Sequence, residues 1–253
     1  MNKTVVITGS RKGFGFSLSK EFAKKGYNVV MNSRNLKELN KSKKLIIDEH
    51  PKSKVICVQS DISQPKSCEK IANNAIKAFG KIDYWINNAA TLLYKYDDFY
   101  KLSESEISTI INTNFTGMCY GTREAINSMS YHGGEIYNIK GSGSFGEIIN
   151  GYTMYSSSKL PLVYFSKCAN LEANHKNIHV HTINPGIIHT DLLHNNDNIP
   201  LFVKKYLTNT PEHIAEYVVA CIENRRTPKD IDFFSIDCLL RTVLKNSLKP
   251  YEI

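Results

Sequence analysis

Tyr155 and Lys159 are the two residues of this sequence whose types and spacing suggest proton transfer. They stand four positions apart in a stretch with a helical pattern, so both side chains lie on one face of a helix. A tyrosine hydroxyl has a pKa of about 10, but a nearby ammonium stabilises the phenolate and lowers that pKa. Tyr155 is therefore predicted to give a proton to a carbonyl oxygen, or to take one from an alcohol. The alternative is an amphipathic pair on a helix surface.

Ser142 lies thirteen residues before Tyr155, in a loop of small residues that follows a predicted strand. Its hydroxyl can donate a hydrogen bond to an oxygen that gains negative charge during carbonyl reduction. We therefore assign Ser142 to the same catalytic site as the Tyr155–Lys159 pair.

His179 and His181 suggest a metal site, because two residues at this spacing on a strand face the same side of a sheet. No third ligand or paired carboxylate is spaced to join them. The sequence therefore predicts packing or surface placement for these two histidines, and no metal centre.

Three glycines separate the first predicted strand from the first predicted helix, in the segment Thr8–Gly15. The first allows a tight turn, the second lets the backbone approach a pyrophosphate, and the third lets the helix pack close to the sheet. The helix N-terminus adds backbone N–H groups and a partial positive charge. The order of strand, turn and helix favours dinucleotide binding over a surface turn. The residues assigned to this site are Gly9, Ser10, Arg11, Lys12, Gly13, Phe14 and Gly15.

The end of the second predicted strand distinguishes NAD from NADP, because an acidic residue there holds the ribose 2′-hydroxyl. This chain has Ser33 and Arg34 at that place and no acid. The planar guanidinium of Arg34 can pair with a 2′-phosphate, and Arg11 and Lys12 add two cations nearby. NADP(H) is therefore the predicted cofactor, with solvated loop cations as the alternative.

Asp61 follows the third predicted strand, where its carboxylate can accept a hydrogen bond from the adenine amino group. The alternative is that Asp61 caps the helix that starts shortly after it. Its neighbour Ile62 is assigned to the same cofactor site.

Short strands and longer helices alternate along the whole chain, which is typical of a parallel sheet covered by helices on both faces. We predict an α/β fold: a Rossmann-type doubly wound parallel sheet in three αβα layers, with residues 1–253 as a single domain. The predicted strands are Thr4–Thr8, Asn28–Asn32, Lys54–Gln59, Ile82–Ile86, Glu135–Ile139 and Ile178–Ile183. The predicted helices are Ser17–Lys25, Leu36–Glu49, Cys68–Phe79, Glu104–Met129, Thr153–Asn174 and Pro211–Glu223.

The composition is that of a globular protein, with 42% hydrophobic and 22% charged residues among 253. This excludes a disordered chain, and no apolar run approaches the roughly 20 residues of a membrane span. Six scattered cysteines without a CxxC pair indicate free thiols. No signal or transit peptide fits before the first strand, so we expect a cytoplasmic location.

The net charge of +8 is unusual and is compatible with nucleic acid, an anionic membrane surface or an anionic cofactor. The basic residues are scattered and no nucleic-acid-binding motif is present, so we predict no nucleic-acid partner. A basic cluster, Arg241, Lys245 and Lys249, lies on a final apolar helix and leaves membrane or partner contact open.

Six motifs in order resemble the short-chain dehydrogenase/reductase family, from Thr4 to about Asp191. They are the glycine motif Thr8–Gly15, the NNAG-like Asn87–Asn88–Ala89–Ala90, Asn114, Ser142, Tyr155 with Lys159, and Pro185–Gly186. The segments Val5–Ser10, Asn138–Ser144 and Asn184–Leu193 further resemble the chlorophyll b reductase branch. That branch reduces a formyl group on a large porphyrin-type ring with NADPH.

The family resemblance implies further roles. Asn114 would anchor a water that links Lys159 to solvent, and Lys159 would hold the nicotinamide ribose. Residues 190–208 would form a substrate loop and residues 231–253 a variant C-terminal tail, without the usual final strand. The family commonly forms dimers or tetramers through two helical stretches, Glu104–Met129 and Thr153–Asn174. The further cofactor contacts would be Asn88, Ala89, Pro185, Gly186, Ile188 and Thr190.

Two residues depart from the family pattern. Ala90 replaces the last glycine of the NNAG motif, where the backbone passes near the adenosine ribose. Pro161 lies just beyond Lys159 and removes a helix bond to the Ser157 carbonyl, which predicts a local bend that shifts Lys159. In the alternative, the freed carbonyl binds water or substrate.

The sequence thus predicts an NADPH-dependent reductase of aldehydes or ketones, with Tyr155 as proton donor and a large hydrophobic or porphyrin-type carbonyl compound as a candidate substrate. The alternative is a non-catalytic dinucleotide sensor or scaffold on the same fold.

Overall fold

A single parallel sheet organises the part of the chain that the computed structural model describes, residues 2–92, 98–188, 209–224 and 230–233. Its strand order is β3-β2-β1-β4-β5-β6-β7. The strands are β1 (Thr4–Ile7), β2 (Asn28–Ser33), β3 (Lys54–Gln59), β4 (Tyr84–Asn87), β5 (Gly134–Ile139), β6 (Ile178–Asn184) and β7 (Ile231–Asp232). The order reverses between β1 and β4, which opens a crevice at their carboxyl ends.

Helices connect consecutive strands and cover both faces of this sheet. They are α1 (Gly13–Lys24), α2 (Leu36–Glu49), α3 (Ser67–Phe79), α4 (Glu104–Ile111), α5 (Gly117–Met129), α6 (Thr153–Ala173) and α7 (Pro211–Glu223). The predicted Rossmann-type doubly wound αβα fold is confirmed.

The hydrophobic core forms two layers, one on each face of the sheet. Side chains of α1, α2 and α7 fill one layer, and side chains of α3, α5 and α6 fill the other. β1, β2 and β4 are buried at every position, as expected for strands covered on both sides. Trp85, the only tryptophan of the sequence, is fully buried on β4, and its indole N–H donates to Asn87 Oδ1 over 2.8 Å.

Most predicted elements are found within two residues of their expected ends. The predicted helix Glu104–Met129 contains an interruption, because a π-helical turn at Asn112–Thr116 separates α4 from α5. The first helix begins at Gly13 rather than Ser17, so the glycine segment itself forms its first turn. Pro161 lies inside α6, yet the helix runs on from Thr153 to Ala173.

The seventh strand corrects the prediction that the tail lacks a final strand. Ile231 and Asp232 pair in parallel with the end of β6. The Asp230 carboxylate strengthens this edge by accepting hydrogen bonds from the Thr182 amide and hydroxyl, at 2.7 and 2.9 Å. A strand of two residues is too short to show a pattern in the sequence.

Candidate active site and cofactor site

The glycine segment follows β1 and faces the crevice between β1 and β4. Gly9 has a φ of +63°, and a Cβ added there would lie 2.6 Å from the Ala89 Cα. A Cβ on Gly15 would lie 2.7 Å from the Gly9 carbonyl oxygen. Both positions therefore require glycine, one for its backbone conformation and one for the close approach of helix and loop.

Asn88 and Ala89, predicted as cofactor contacts, hold the glycine segment in place. The Asn88 amide donates from Nδ2 to the carbonyls of Thr8 and Gly9, at 2.9 and 3.1 Å. The backbone amides of Asn88 and Ala89 both donate to the Thr8 hydroxyl, each over 3.1 Å. These bonds join β4 to β1 at the point where the crevice opens.

The N-terminus of α1 points out of this turn. Its N-cap residue, Lys12, is extended and makes no side-chain hydrogen bond to the first turn. Phe14 is buried and anchors that turn in the core. The Ser10 amide donates to the Asn32 carbonyl over 2.9 Å, which ties the turn to the end of β2. The segment thus presents a helix N-terminus of the kind that holds phosphate groups.

Arg34 lies at the end of β2 with an exposed side chain, and its Nη1 is 3.9 Å from Asp61 Oδ2. Ser33 is turned towards its own strand end, where its hydroxyl contacts the backbone of Asn35. Arg11 is half-buried and Lys12 is exposed in the adjacent loop. The structure thus brings the three predicted cations to the loops around the crevice, with no acidic residue at the end of β2.

Asp61 does not cap a helix, which corrects the alternative considered for it. α3 begins at Ser67, and the Asp61 carboxylate instead accepts from the amide and hydroxyl of Ser63, at 3.0 and 2.8 Å. Ile62 is buried against α5, where a Cβ on Gly117 would lie 2.6 Å from Ile62 Cδ1.

Asn114 lies in the π-helical turn and is 1% exposed. Its Oδ1 accepts from the Thr91 amide over 2.7 Å, and its Nδ2 donates to the Thr91 carbonyl and to the Ser158 hydroxyl, at 2.9 and 3.0 Å. Ser158 in turn donates to the Tyr155 carbonyl over 2.6 Å. Asn114 is therefore linked to the turn of α6 that carries the tyrosine and the lysine.

Lys159 is buried beneath the end of β5 and donates from Nζ to the Ile139 carbonyl over 3.1 Å. Its Nζ lies 5.8 Å from the centre of the Tyr155 ring. The Tyr155 hydroxyl lies next to Gly141, in the loop that follows β5. A Cβ added to Gly141 would lie only 2.6 Å from the hydroxyl oxygen. Pro161, two residues further along α6, does not prevent this contact between Lys159 and the end of β5.

Ser142 is exposed, and no hydrogen bond within the described part of the chain joins it to Tyr155 or Lys159. The buried serine of this loop is Ser144, whose Oγ accepts from the Gly141 amide over 3.1 Å and lies 3.4 Å from the Lys159 carbonyl. Spacing from the tyrosine did not single out Ser144, because the loop contains two serines and spacing says nothing about burial.

The turn after β6 holds the remaining predicted cofactor contacts. Pro185 is buried, and Gly186 has a φ of +67° while its amide donates to Asn184 Oδ1 over 3.2 Å. Ile188 forms an isolated parallel bridge with Asn209. Thr190, the proposed substrate loop 190–208 and tail residues 234–253 lie outside the described residues.

Burial shifts the pKa values of Tyr155 and Lys159 in opposite directions. Loss of solvent raises the pKa of Tyr155 well above its ordinary value, and the neighbouring Tyr152 adds to this. Burial lowers the pKa of Lys159 to about 8. The sequence predicted a lowered tyrosine pKa because of the ammonium, but the pKa of Tyr155 is raised instead, mainly by desolvation.

His179 and His181 lie on β6 with their rings stacked 6.1 Å apart. Within the described ranges, no three side chains of the metal-binding types converge on one point. The helices described include none that is long and apolar enough to cross a bilayer.

A doubly wound sheet with a glycine turn at its switch point and a Tyr–Lys pair beside it is typical of oxidoreductases that bind a nicotinamide dinucleotide. The family model for short chain dehydrogenase matches residues 3–199. This chain belongs to the short-chain dehydrogenase family.

Among curated relatives, the chain is similar to a chloroplastic chlorophyll(ide) b reductase NOL of Oryza sativa subsp. japonica. They are 36% identical over 194 residues, covering 75% of this chain and 57% of the relative. The corresponding Arabidopsis thaliana protein is 32% identical over 85% of this chain and 64% of its own length. Versicolorin reductase 1 of Dothistroma septosporum is 29% identical, over 75% of this chain and 71% of that protein. The chain thus spans about six tenths of the two chlorophyll(ide) b reductases.

Solved structures agree in fold. An alcohol dehydrogenase of Thermococcus sibiricus complexed with 5-hydroxy-NADP has a TM-score of 0.80 at 22% identity, covering 92% of this chain and 95% of that one. A short-chain type dehydrogenase/reductase of Mycobacterium marinum has a TM-score of 0.81 at 22% identity, covering 91% and 93%.

Proposed function

We propose that this protein is an NADPH-dependent reductase that converts a carbonyl group to an alcohol, with Tyr155 as the proton donor. The observation that carries the proposal is the position of the Tyr155 hydroxyl, which rests against Gly141 at the carboxyl end of β5, with Lys159 buried beside it. A substrate carbonyl in the crevice would meet this hydroxyl. Family membership and the reductase names of the relatives support the same reaction class.

The raised pKa of Tyr155 keeps its hydroxyl protonated at neutral pH, as carbonyl reduction requires. A phenol with a high pKa stays protonated, and the protonated form is the one that gives its proton to a carbonyl oxygen. Lys159, with its pKa lowered to about 8, still carries a positive charge at neutral pH. That charge stabilises the tyrosinate formed by proton transfer, so the ammonium acts when negative charge develops.

The glycine segment and the N-terminus of α1 fit a dinucleotide, because the turn packs closely against Ala89 and Asn88 and no side chain caps the first turn of α1. When bound, the nicotinamide supplies the hydride that adds to the substrate carbon. The absence of an acid at the end of β2 and the exposed Arg34 support NADPH as the form used. The Arg34 side chain can leave its 3.9 Å contact with Asp61 at little cost, because exposed ion pairs are weak.

The substrate proposed is a large hydrophobic or porphyrin-type carbonyl compound. Relatives named for chlorophyll(ide) b, versicolorin and elsinochrome support this class. We further propose action in the cytoplasm as a homodimer or homotetramer, in line with the family's common assembly through its two long helical stretches.

The test is turnover by Tyr155→Phe beside the wild type, with a panel of aldehydes and ketones that includes a formyl-porphyrin. NADPH oxidation is followed by absorbance, NADH is the cofactor control, and NADPH affinity is measured separately. We expect the variant to lose at least about 100-fold in kcat while its NADPH affinity stays within about twofold. Unchanged activity would refute the role of Tyr155, and a clear preference for NADH would refute the role of Arg34. NADPH binding by the wild type without any turnover would favour the sensor alternative.

A further inference from the structure

Lys140 is a buried lysine at the edge of the proposed active site that the mechanism above does not use. It follows the last residue of β5 and is 6% exposed. The residue before it, Ile139, accepts the Lys159 hydrogen bond through its carbonyl, and the residue after it, Gly141, faces the Tyr155 hydroxyl. Consecutive Cα atoms are about 3.8 Å apart, so Lys140 is anchored within one residue of both catalytic contacts.

The Lys140 ammonium lacks a hydrogen-bond acceptor among the residues that the structure describes. Its Nζ lies over the ring of Phe145, 4.5 Å from the ring centre. An ammonium has three N–H donors, and with none of them bonded to the described residues they are available to an anionic ligand. Burial lowers the pKa of Lys140.

Two carboxylates near Lys140, those of Asp230 and Asp232, already accept hydrogen bonds from residues of β6. Asp230 accepts two hydrogen bonds from Thr182, and Asp232 accepts one from the Asn184 amide over 3.0 Å. Their charges raise the pKa of Lys140, against the larger effect of burial. Neither comes within 4.0 Å of the ammonium in the described structure, so the donors of Lys140 stay open for another anion.

The Phe145 ring lies over the Lys140 ammonium, and Phe145 itself is 58% exposed. It belongs to the loop between β5 and α6, where the Glu147 carboxylate accepts from the amides of Gly143 and Phe145, at 3.0 and 3.1 Å. A carboxylate binds an ammonium more strongly than an exposed aromatic ring does. An anionic group can therefore replace the ring, and the same loop carries Ser142.

We propose that Lys140 binds a carboxylate on the carbonyl substrate and that Phe145 moves aside to admit it. This rests on the proposed function and narrows its substrate class to aldehydes or ketones that also carry an acid group. A lysine acts as a point charge on a long stem, so it tolerates acids at more than one distance from the carbonyl.

The experiment compares acids with their esters. The substrates are 4-carboxybenzaldehyde and the longer 4′-formylbiphenyl-4-carboxylic acid, each beside its methyl ester. In Lys140→Met we expect kcat/KM for at least one acid to fall by about tenfold or more, the range for a hydrogen bond to a charged group. Both esters should stay within about twofold. Lys140→Arg should recover most of the loss, because it restores the charge.

Lys167→Met is the matched control. It removes the same charge from α6, on an exposed residue whose charge is close enough to influence the pKa of Lys140. We expect it to leave the ratio of acid to ester unchanged. If both variants change that ratio equally, general surface charge explains the effect and the proposal is overturned. An equal loss of kcat/KM for acid and ester in Lys140→Met would also overturn it, because the carboxylate would then make no difference.

A binding measurement separates this inference from the proposed function. Calorimetric titration of 4-(hydroxymethyl)benzoate into the protein with NADP⁺ should give about tenfold weaker binding in Lys140→Met than in the wild type. If the wild type reduces none of the aldehydes, the proposed function fails and this titration alone decides the role of Lys140. Equal affinity in both proteins would overturn that role.

Discussion

At the scale of single residues, Lys159 is buried at a cost in folding stability that its proposed catalytic role would explain. The residue is 3% exposed, its Nζ donates a hydrogen bond to the Ile139 carbonyl, and its pKa is lowered from 10.5 to about 8. Such a shift means that folding disfavours the charged form. A residue that is unfavourable for folding and adjacent to the proton donor is typical of a catalytic site.

Lys159→Met should therefore stabilise the protein and inactivate it. We expect its free energy of unfolding at pH 7 to rise by about 1–3 kcal/mol, because the buried charge is removed. Turnover should fall by at least about 100-fold. Urea unfolding and NADPH oxidation measure the two effects, and a less stable variant would contradict the argument.

The same lysine makes a prediction about pH. Between pH 8 and 10.5 the folded protein binds fewer protons at Lys159 than the unfolded chain does, so its contribution to stability rises with pH. The stability advantage of Lys159→Met should therefore shrink over this window and be nearly gone above it. Urea unfolding of both proteins across the window tests this, and a constant difference would be inconsistent with a lowered pKa.

Ser142 and Ser144, both in the loop between β5 and α6, should differ in how their substitution by alanine affects turnover and stability. Ser142 is exposed, so Ser142→Ala should lower kcat about 100-fold without changing the melting temperature. Ser144 is buried and bonded to the Gly141 amide, so Ser144→Ala should lower both stability and activity. Parallel melting curves and turnover assays decide, and an inactive Ser144→Ala of normal stability would make Ser144 the hydrogen-bond donor to substrate.

At the scale of elements, the glycine turn and α1 act as one rigid unit clamped by Asn88. A side chain at Gly15 would meet the Gly9 carbonyl and the Asn88 amide, so the helix would have to move away from the sheet. The proposed phosphate site would depend on this close approach and not on any single side chain.

Gly15→Ala should weaken NADPH binding by at least about tenfold and destabilise the fold by about 1–3 kcal/mol, because a methyl group is forced into a packed contact. Gly26→Ala is the control, since Gly26 has a φ of +82° but open space around it. It should cost about 1 kcal/mol and leave NADPH binding intact. Fluorescence titration of both variants with NADPH measures their affinities. Equal affinities would show that NADPH binding does not depend on how closely α1 packs at Gly15.

At the scale of the whole molecule, the alternation of strands and helices was enough to predict the layers, the sheet and most element ends. α2, β3 and α7 begin and end at the predicted residues, because proline and turn residues mark their limits. The π-helical turn at Asn112–Thr116 was not predicted, since a single π-helical turn between two helical stretches has no sequence pattern of its own. β7 was missed because tertiary bonds to Thr182 and Asn184, not local pattern, form it.

The site was predicted less completely than the fold. Motif spacing singled out Tyr155 and Lys159, which lie at the end of β5, and the glycine segment, which lies between β1 and β4; their roles stay predictions. It could not predict the pKa of Tyr155, because desolvation depends on how the loop closes over the ring. Nor could it show that Lys140 is buried, since the end of a strand can face either solvent or a covering loop.

The outer face of α6 carries exposed apolar side chains that fit assembly with a second copy of the chain. Leu160, Tyr164 and Leu171 are 51%, 75% and 81% exposed. The double variant Tyr164→Glu, Leu171→Glu should shift the protein towards the monomer, because charges on both chains would be buried together. Analytical ultracentrifugation measures this, with Leu45→Glu on α2, where Leu45 is 55% exposed, as control. An unchanged oligomer would place the interface elsewhere.

The buried position of Trp85 affects its fluorescence as well as its packing. A single indole, shielded from water and held by Asn87 beside the Asn88 clamp, has one uniform emission environment. Reduced nicotinamide absorbs in the range where tryptophan emits, so excitation energy can pass from β4 to a dinucleotide in the crevice. The molecule therefore contains its own optical donor, and we expect binding of the proposed reduced dinucleotide to quench indole emission in the unlabelled wild-type protein.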